Sequence, residues 1–208
     1  MEWKRLAVGP IQENTYILWN DKKEAVIFDP GAEGKKINAR IEELGVKPLA
    51  ILLTHAHFDH IGAVDAVRAK WNIPVYVHEF ESDWLEDTNK NGSAHFSQNI
   101  TAKPAEHMVA KGPLVIGDFT FDVLETPGHS PGSVSYYLKE ANAVFSGDAL
   151  FAGGIGRTDL YGGNQALLMK SIHDQLLTLP EETAVLSGHG FETTVGTEMD
   201  ENPFLNGF

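Results

Sequence analysis

Cysteine is absent from this 208-residue chain. Neither a disulfide framework nor a thiolate metal site can therefore be built from it. Positive charge is scarce as well: 16 Lys and Arg stand against 29 Asp and Glu, a formal charge of −13. That balance excludes a general nucleic-acid binder, which needs a basic surface to neutralise phosphate. Long apolar runs are missing too, and none approaches the roughly 20 residues that cross a bilayer. The opening MEWKRLAVGP lacks the uninterrupted apolar core of a signal peptide. These absences lead us to expect a soluble, cytoplasmic protein with no membrane or nucleic-acid partner. At 42% hydrophobic residues, the length suits one domain with a substantial core.

What is present is a succession of short β-rich runs and a few helices. RLAV, NTYILW and EAVIF read as strands, with a polar turn at Asp21–Lys23 and a stop at Asp29-Pro30-Gly31. Residues 33–45 place Ile37, Ile41 and Leu44 at helical spacing and end at Gly45. LAILL (49–53) is apolar throughout, as a strand buried on both faces should be. A helix with Ile61, Val64, Val67 and Trp71 on one side follows, and IPVYVH is the next strand. Between about 79 and 112 the pattern weakens into polar, Gly/Asn-rich sequence that suits short helices and a mobile loop. FTFDVLETPG, SVSYYL and NAVFSGD restore strands, followed by a helix around 164–178 and a last strand, TAVLSGHG. The strands come mostly in antiparallel-looking runs. A layered α/β domain follows, with sheets at the centre and helices outside.

Histidine is where the sequence concentrates its chemistry. Of nine histidines, His55, His57 and His60 fall within six positions of LLTHAHFDHIG, interleaved with Asp59. Three imidazoles and a carboxylate so close together repel and desolvate one another unless something positive lies between them. His55 and His57 share one side of an extended chain. Asp59 and His60 fall where strand gives way to helix, and Gly62 permits close backbone approach there. Neutral imidazole and carboxylate are the ligands a borderline divalent ion such as zinc accepts. The bland alternative is a polar loop at a helix start, with Asp59 as its cap and the histidines exposed. TPGHSPGS, FSGDAL and LSGHG each set one ligand-type residue (His129, Asp148 and His189) among small residues beside a strand. Any one of these alone is an ordinary turn, but the three together with the cluster point to a pre-organised metal site.

The pattern His55-x-His57-x-Asp59-His60, followed in order by His129, Asp148 and His189, resembles the metallo-β-lactamase superfamily. The resemblance runs from about residue 10 to 205 and fills all seven ligand positions. GDALFAGGIGRTDL and the closing ENPFL look most like the glyoxalase II group, the hydroxyacylglutathione hydrolases and their short bacterial relatives. The resemblance implies a four-layer αβ/βα sandwich, one domain over residues 1–208. It implies two divalent ions, zinc first, with iron and manganese as alternatives. His55, His57 and His129 would hold one ion, and Asp59, His60 and His189 the other. Asp148 would bridge them, since a carboxylate can span two cations about 3.5 Å apart. The implied activity is hydrolysis of a thioester such as S-2-hydroxyacylglutathione by metal-bound hydroxide, which Asp59 orients.

Other branches of the family fit less well. Many β-lactamases of this fold use a cysteine ligand and lack the bridging aspartate, so lactam hydrolysis is not expected. Flavodiiron relatives carry Glu at the place of His57, and the RNA-processing nucleases need a basic surface. The competing branch is the mononuclear iron persulfide dioxygenases, which share the GRTD stretch and would use His55, His129 and Asp148. Arg157 stands where the family has a basic residue near the thiol-derived part of the substrate, with a surface ion pair to Asp159 as the alternative. Tyr161 would add to the same wall. Only nineteen residues follow His189, so the C-terminal helical contacts of full-length glyoxalase II to glutathione are expected to have no counterpart. His78, His95, His107 and His173 have no ligand-like setting, although His95 could reach the site from a lid. Asp29 is expected to order the turn beneath the cluster and to hydrogen-bond a ligand histidine. Trp84, Phe96 and Phe151 are candidates for a pocket wall, with core packing the default.

Overall fold

The computed structural model describes residues 1–205. Its first sheet runs in chain order: β1 (Glu2–Val8), β2 (Glu13–Trp19), β3 (Glu24–Phe28), β4 (Lys47–Leu52), β5 (Val75–His78) and β6 (His107–Val109). The first three strands pair antiparallel, and β3 to β6 pair parallel. Parallel neighbours need crossovers, supplied by α1 (Gly34–Leu44) and by α2 (Phe58–Ile61) with α3 (Val64–Trp71). The second sheet contains β7 (Gly112–Ile116), β8 (Phe119–Glu125), β9 (Val134–Leu138) and β10 (Ala143–Gly147). A small hairpin, β11 (Leu150–Phe151) with β12 (Gly154–Ile155), and α4 (Gln165–Ser171) precede its remaining strands, β13 (Ala184–Ser187) and β14 (Thr193–Thr194). Their order is β14-β13-β10-β9-β8-β7, and only the β10–β13 pair is parallel. Helix α5 (Val195–Glu201) follows.

Period-two alternation explains why the sheets stack. Tyr16, Leu18, Val26, Phe28, Ala50 and Leu52 face the second sheet, where they meet Phe119, Phe121, Tyr136 and Phe145. Ile17, Trp19, Ala25, Ile27 and Ile51 face the other way, onto Ile37 and Ile41 of α1 and Val64 and Val67 of α3. The outer face of the second sheet buries Val144 and Val185 against Leu168 of α4 and Val195 of α5. Helices outside two face-to-face sheets make the four layers that were expected.

Several details differ from the expectations. The antiparallel impression fails for three of the five pairings in the first sheet, because pairing direction is set by the crossover connections rather than by strand composition. The helix after the histidine cluster is two helices. Gly62 lies so near Pro30-Gly31 that a Cβ there would sit 2.4 Å from the Gly31 carbonyl, and Ala63 N–H donates to Pro30 O. The chain is clamped at that turn and cannot continue as one helix. The stretch expected to be a mobile loop contains 3₁₀ turns at Glu79–Leu85 and Ser93–Phe96. It is pinned by Asn91, whose side chain donates to Trp84 O and Ile100 O and accepts from Ser93 N. The helix expected over 164–178 is α4, continued by a π-helical turn at Ile172–Leu176. Among the described residues no helix is long and apolar enough to cross a membrane.

Candidate metal centre

Four loops, each following the C-terminal end of a strand, meet at one edge of the sandwich. They follow β4 (His55, His57, Asp59, His60), β8 (His129), β10 (Asp148) and β13 (His189). Potential ligand atoms of His55, His57 and His129 lie within 4.8 Å of one another. The same holds for Asp59, His60 and His189, and for His55, His60 and Asp148. All seven residues singled out in the sequence are thus brought together. Asp148 sits between the two triads: its Oδ1 is 3.4 Å from His60 Nε2, and its Oδ2 is 3.5 Å from both His129 Nε2 and His189 Nε2. Gly188 makes room, for a Cβ there would lie 2.2 Å from Asp148 Oδ1.

Hydrogen bonds behind the histidines decide which nitrogen faces the centre. Thr54 donates its N–H and hydroxyl to Asp29 at 2.7 and 2.6 Å. With its proton given to Asp29, the Thr54 oxygen accepts from His55 Nδ1–H at 3.1 Å. His60 Nδ1–H donates to Asp29 Oδ2 at 3.0 Å, the contact expected of that aspartate. The Arg157 carbonyl can only accept, so His129 Nδ1 is the donor of their 2.7 Å bond. Each ring is left with a bare Nε2 lone pair turned inward. Nε2 of His55 and of His60, together with Asp148 Oδ1, are buried without a hydrogen-bond partner among the described residues. His57 turns its Nδ1 to within 2.9 Å of His129 Nε2. Inward lone pairs and two carboxylates, with only His57 Nδ1–H to offer His129 Nε2, are a poor fit to each other but a good fit to divalent cations.

The electrostatics agree. Burial holds the His55 pKa well below its ordinary value, and neighbouring His60 and His129 push it the same way. His57 is lowered to about 3 by burial and by His129. Both rings therefore stay neutral, the form that binds a metal. Burial also opposes charge on His60, but Asp148, Asp59 and Asp29 outweigh it and raise its pKa well above the ordinary value. Burial likewise opposes charge on Asp148, yet His60, His129 and His189 hold its carboxyl well below the usual range. The carboxylates around His60 make a negative field that favours a cation at its Nε2, and a divalent metal ion is one that can take that lone pair.

The centre forms the floor of a cavity of about 470 Å³, whose walls include Phe58, Phe96, Phe151, Leu160 and Arg157. Phe96 and Phe151 are thus wall residues, whereas Trp84 is buried beneath, with its ring 5.7 Å from that of His57. Arg157 is exposed and pairs side-on with Asp159 at 2.7 and 2.8 Å, the alternative weighed for it. Tyr161 lines a neighbouring cavity of about 290 Å³ with His57, Lys90 and His95, rather than the larger one. His95, from the 3₁₀ turn Ser93–Phe96, lines that neighbouring cavity and not the one above the ligands. His78 is buried and accepts from Phe80 N, while His107 stacks on Tyr76. A separate cleft of about 530 Å³, lined by Asp65, Arg68, Lys103 and Glu106 among others, includes none of the seven residues.

Buried supports hold the ligand loops in place, and none of them stands out in the sequence. Glu81 is fully buried and accepts from Ala56 N at 2.6 Å and Gly132 N at 2.7 Å, tying the loops of His55/His57 and His129 together. Glu13, also buried, reaches within 3.8 Å of His60 Nδ1. Asn14 and Tyr16 bond the Ser187 carbonyl, and Asn14 N–H donates to Gly188 O, which anchors the His189 loop. No local signal marks the two glutamates, since Glu13 stands between Gln12 and Asn14 and Glu81 between Phe80 and Ser82.

Comparison with known proteins agrees with this geometry. The description "Metallo-beta-lactamase superfamily" matches residues 8–189. The chain is 63% identical to the "Probable metallo-hydrolase YqgX" of Bacillus subtilis, over 100% of this chain and 99% of that one. It is 36% identical to the "Hydroxyacylglutathione hydrolase GloC" of Haemophilus influenzae, over 97% and 96%. The crystal structure of the BLEG-1 B3 metallo-β-lactamase superposes with a TM-score of 0.97 at 57% identity, covering 99% of this chain and all of that one. TTHA1623, crystallised in a di-iron-bound form, gives 0.88 at 41%, covering 97% and 100%. With fold, ligand geometry and sequence in agreement, the chain belongs to the metallo-β-lactamase superfamily.

Proposed function

We propose that this protein is a binuclear metal-dependent hydrolase of thioesters, S-2-hydroxyacylglutathione being the representative substrate. His55, His57 and His129 hold one divalent ion, Asp59, His60 and His189 the other, and Asp148 stands between them. The observation that carries this reading is the set of buried, inward-turned and unpartnered atoms, His55 Nε2, His60 Nε2 and Asp148 Oδ1, at the junction of two donor triads. Likeness to GloC supports the thioester substrate, and the di-iron form of TTHA1623 supports two ions while leaving zinc, iron and manganese in play. Two divalent cations, when bound, supply Lewis acidity and bring the pKa of water down to about 7. Asp59 Oδ2, 3.2 Å from His189 Nε2 and 88% shielded from solvent in its side chain, accepts a hydrogen bond from the attacking water and orients it. Arg157 stands at the rim, near the departing thiol.

Likeness to the BLEG-1 lactamase favours β-lactam amides as a second reading. The lack of cysteine is therefore too weak a ground for setting lactams aside. Zinc-loaded and iron-loaded protein should be incubated separately with S-lactoylglutathione, glutathione persulfide and a chromogenic cephalosporin, following free thiol, dissolved oxygen and ring opening. Thiol release without oxygen uptake, clearest for the zinc form, is the expected result. Oxygen uptake confined to the iron form, or ring opening without thioester cleavage, would overturn the proposal.

A further inference from the structure

The cavity above the metal centre has a bias that metal ligation does not explain. Its non-ligand walls are Ile11, Phe58, Phe96, Phe151, Ile155 and Leu160, with Gln98 and Arg157 the polar exceptions. The aromatic rings stand around the ligands rather than in the core. Phe58 lies between His57 and Asp59 in the chain, Phe96 leans on it at 5.2 Å, and Phe151 meets His189 edge-on at 6.1 Å. Ile11 and Phe96 keep 50% and 46% of their surface exposed, facing a space beside buried ligands. Grouped apolar exposure of this kind marks a place where a ligand completes the packing.

Charge points the same way. Arg157 is the only cationic side chain other than histidine lining this cavity among the described residues, and Asp159 already holds it through two hydrogen bonds. A carboxylate on the acyl arm would find no free cation here, since Arg157 is paired and stands toward the thiol, in a chain whose formal charge is −13. An apolar arm would cover Ile11 and Phe96 with nothing to displace but water. We propose that this cavity receives an uncharged, apolar acyl arm, a medium-length aliphatic or phenyl-bearing group, and that Phe96 sets the preference for it. The proposal rests on the thioester reading above and replaces its representative 2-hydroxyacyl group with an apolar one as the preferred acyl class.

Each methylene moved from water into such a wall is worth roughly fourfold in kcat/KM. The test compares S-lactoyl-, S-butanoyl- and S-hexanoylglutathione, and the matching N-acetylcysteamine thioesters, on metal-loaded wild type and Phe96→Ala. The hexanoyl esters should exceed the lactoyl ones at least about tenfold on both thiols, and Phe96→Ala should shrink that ratio at least about threefold. Calorimetry of chelator-treated protein with S-hexylglutathione and S-methylglutathione supplies a readout free of turnover, and the hexyl thioether should bind at least about tenfold more tightly. Equal kcat/KM along the acyl series, or an unchanged ratio in Phe96→Ala, overturns the acyl proposal and leaves the thioester reading standing. Cleavage of no thioester overturns that reading instead. The calorimetry then judges the cavity alone, and equal affinity for the two thioethers overturns its apolar preference.

Discussion

Thr54 spends its hydroxyl proton on Asp29, and only for that reason can the same oxygen accept from His55. Thr54→Val keeps the shape, and the backbone N–H can still bond Asp29, but His55 Nδ1–H loses its acceptor. We expect about tenfold weaker binding at the His55, His57 and His129 set, with the other set changed less. Competition against a chromophoric chelator measures the two affinities, and equal loss at both would show that Thr54 does not act through His55. The ligands themselves were legible in the sequence because each carries a local signal, a histidine cluster or a lone His or Asp beside glycine. Glu13 and Glu81 were not, because a carboxylate's burial depends on chain segments far away. Burial raises the pKa of both, and no short-range pattern announces that.

Among the elements, the 3₁₀ turn Glu79–Leu85 has an influence beyond its length, since Glu81 is the joint acceptor for two ligand loops. Glu81→Ala strands two buried N–H groups, and after allowing for relief of the carboxylate's own burial we expect a loss of about 2–4 kcal/mol. Denaturant unfolding of the chelator-treated protein measures it free of metal linkage, and a loss below about 0.5 kcal/mol would show that the clamp is dispensable. Helices α1 and α3 were readable from their period, and β2, β3 and β4 from continuous apolar runs buried on both faces. Strands of two or three residues, β6, β11, β12 and β14, were not, because so short a run has no period to detect. Helix α5 escaped notice too, with only Val195 and Glu198 turned inward. Parallel pairing was invisible for a different reason, being a property of the connection and not of the strand.

For the molecule as a whole, the seven clustered side chains are a liability without cations and an asset with them. Each ion at about a thousandfold its Kd should add about 4 kcal/mol, so chelation of both should lower Tm by about 20 °C. Differential scanning calorimetry before and after chelation checks this, and an unchanged Tm would count against metal ligation by these residues. The placement of the four loops gives that stability a particular character. His55, His57, Asp59 and His60 hang from one sheet, and His129, Asp148 and His189 from the other. Each triad proposed to hold an ion draws from both, so neither can close until the two sheets have met. Metal affinity then acts on the rate of coming apart and leaves the rate of first assembly alone. In a metal-starved cell such a protein would still fold on schedule, but it would open more often and be lost to proteases sooner.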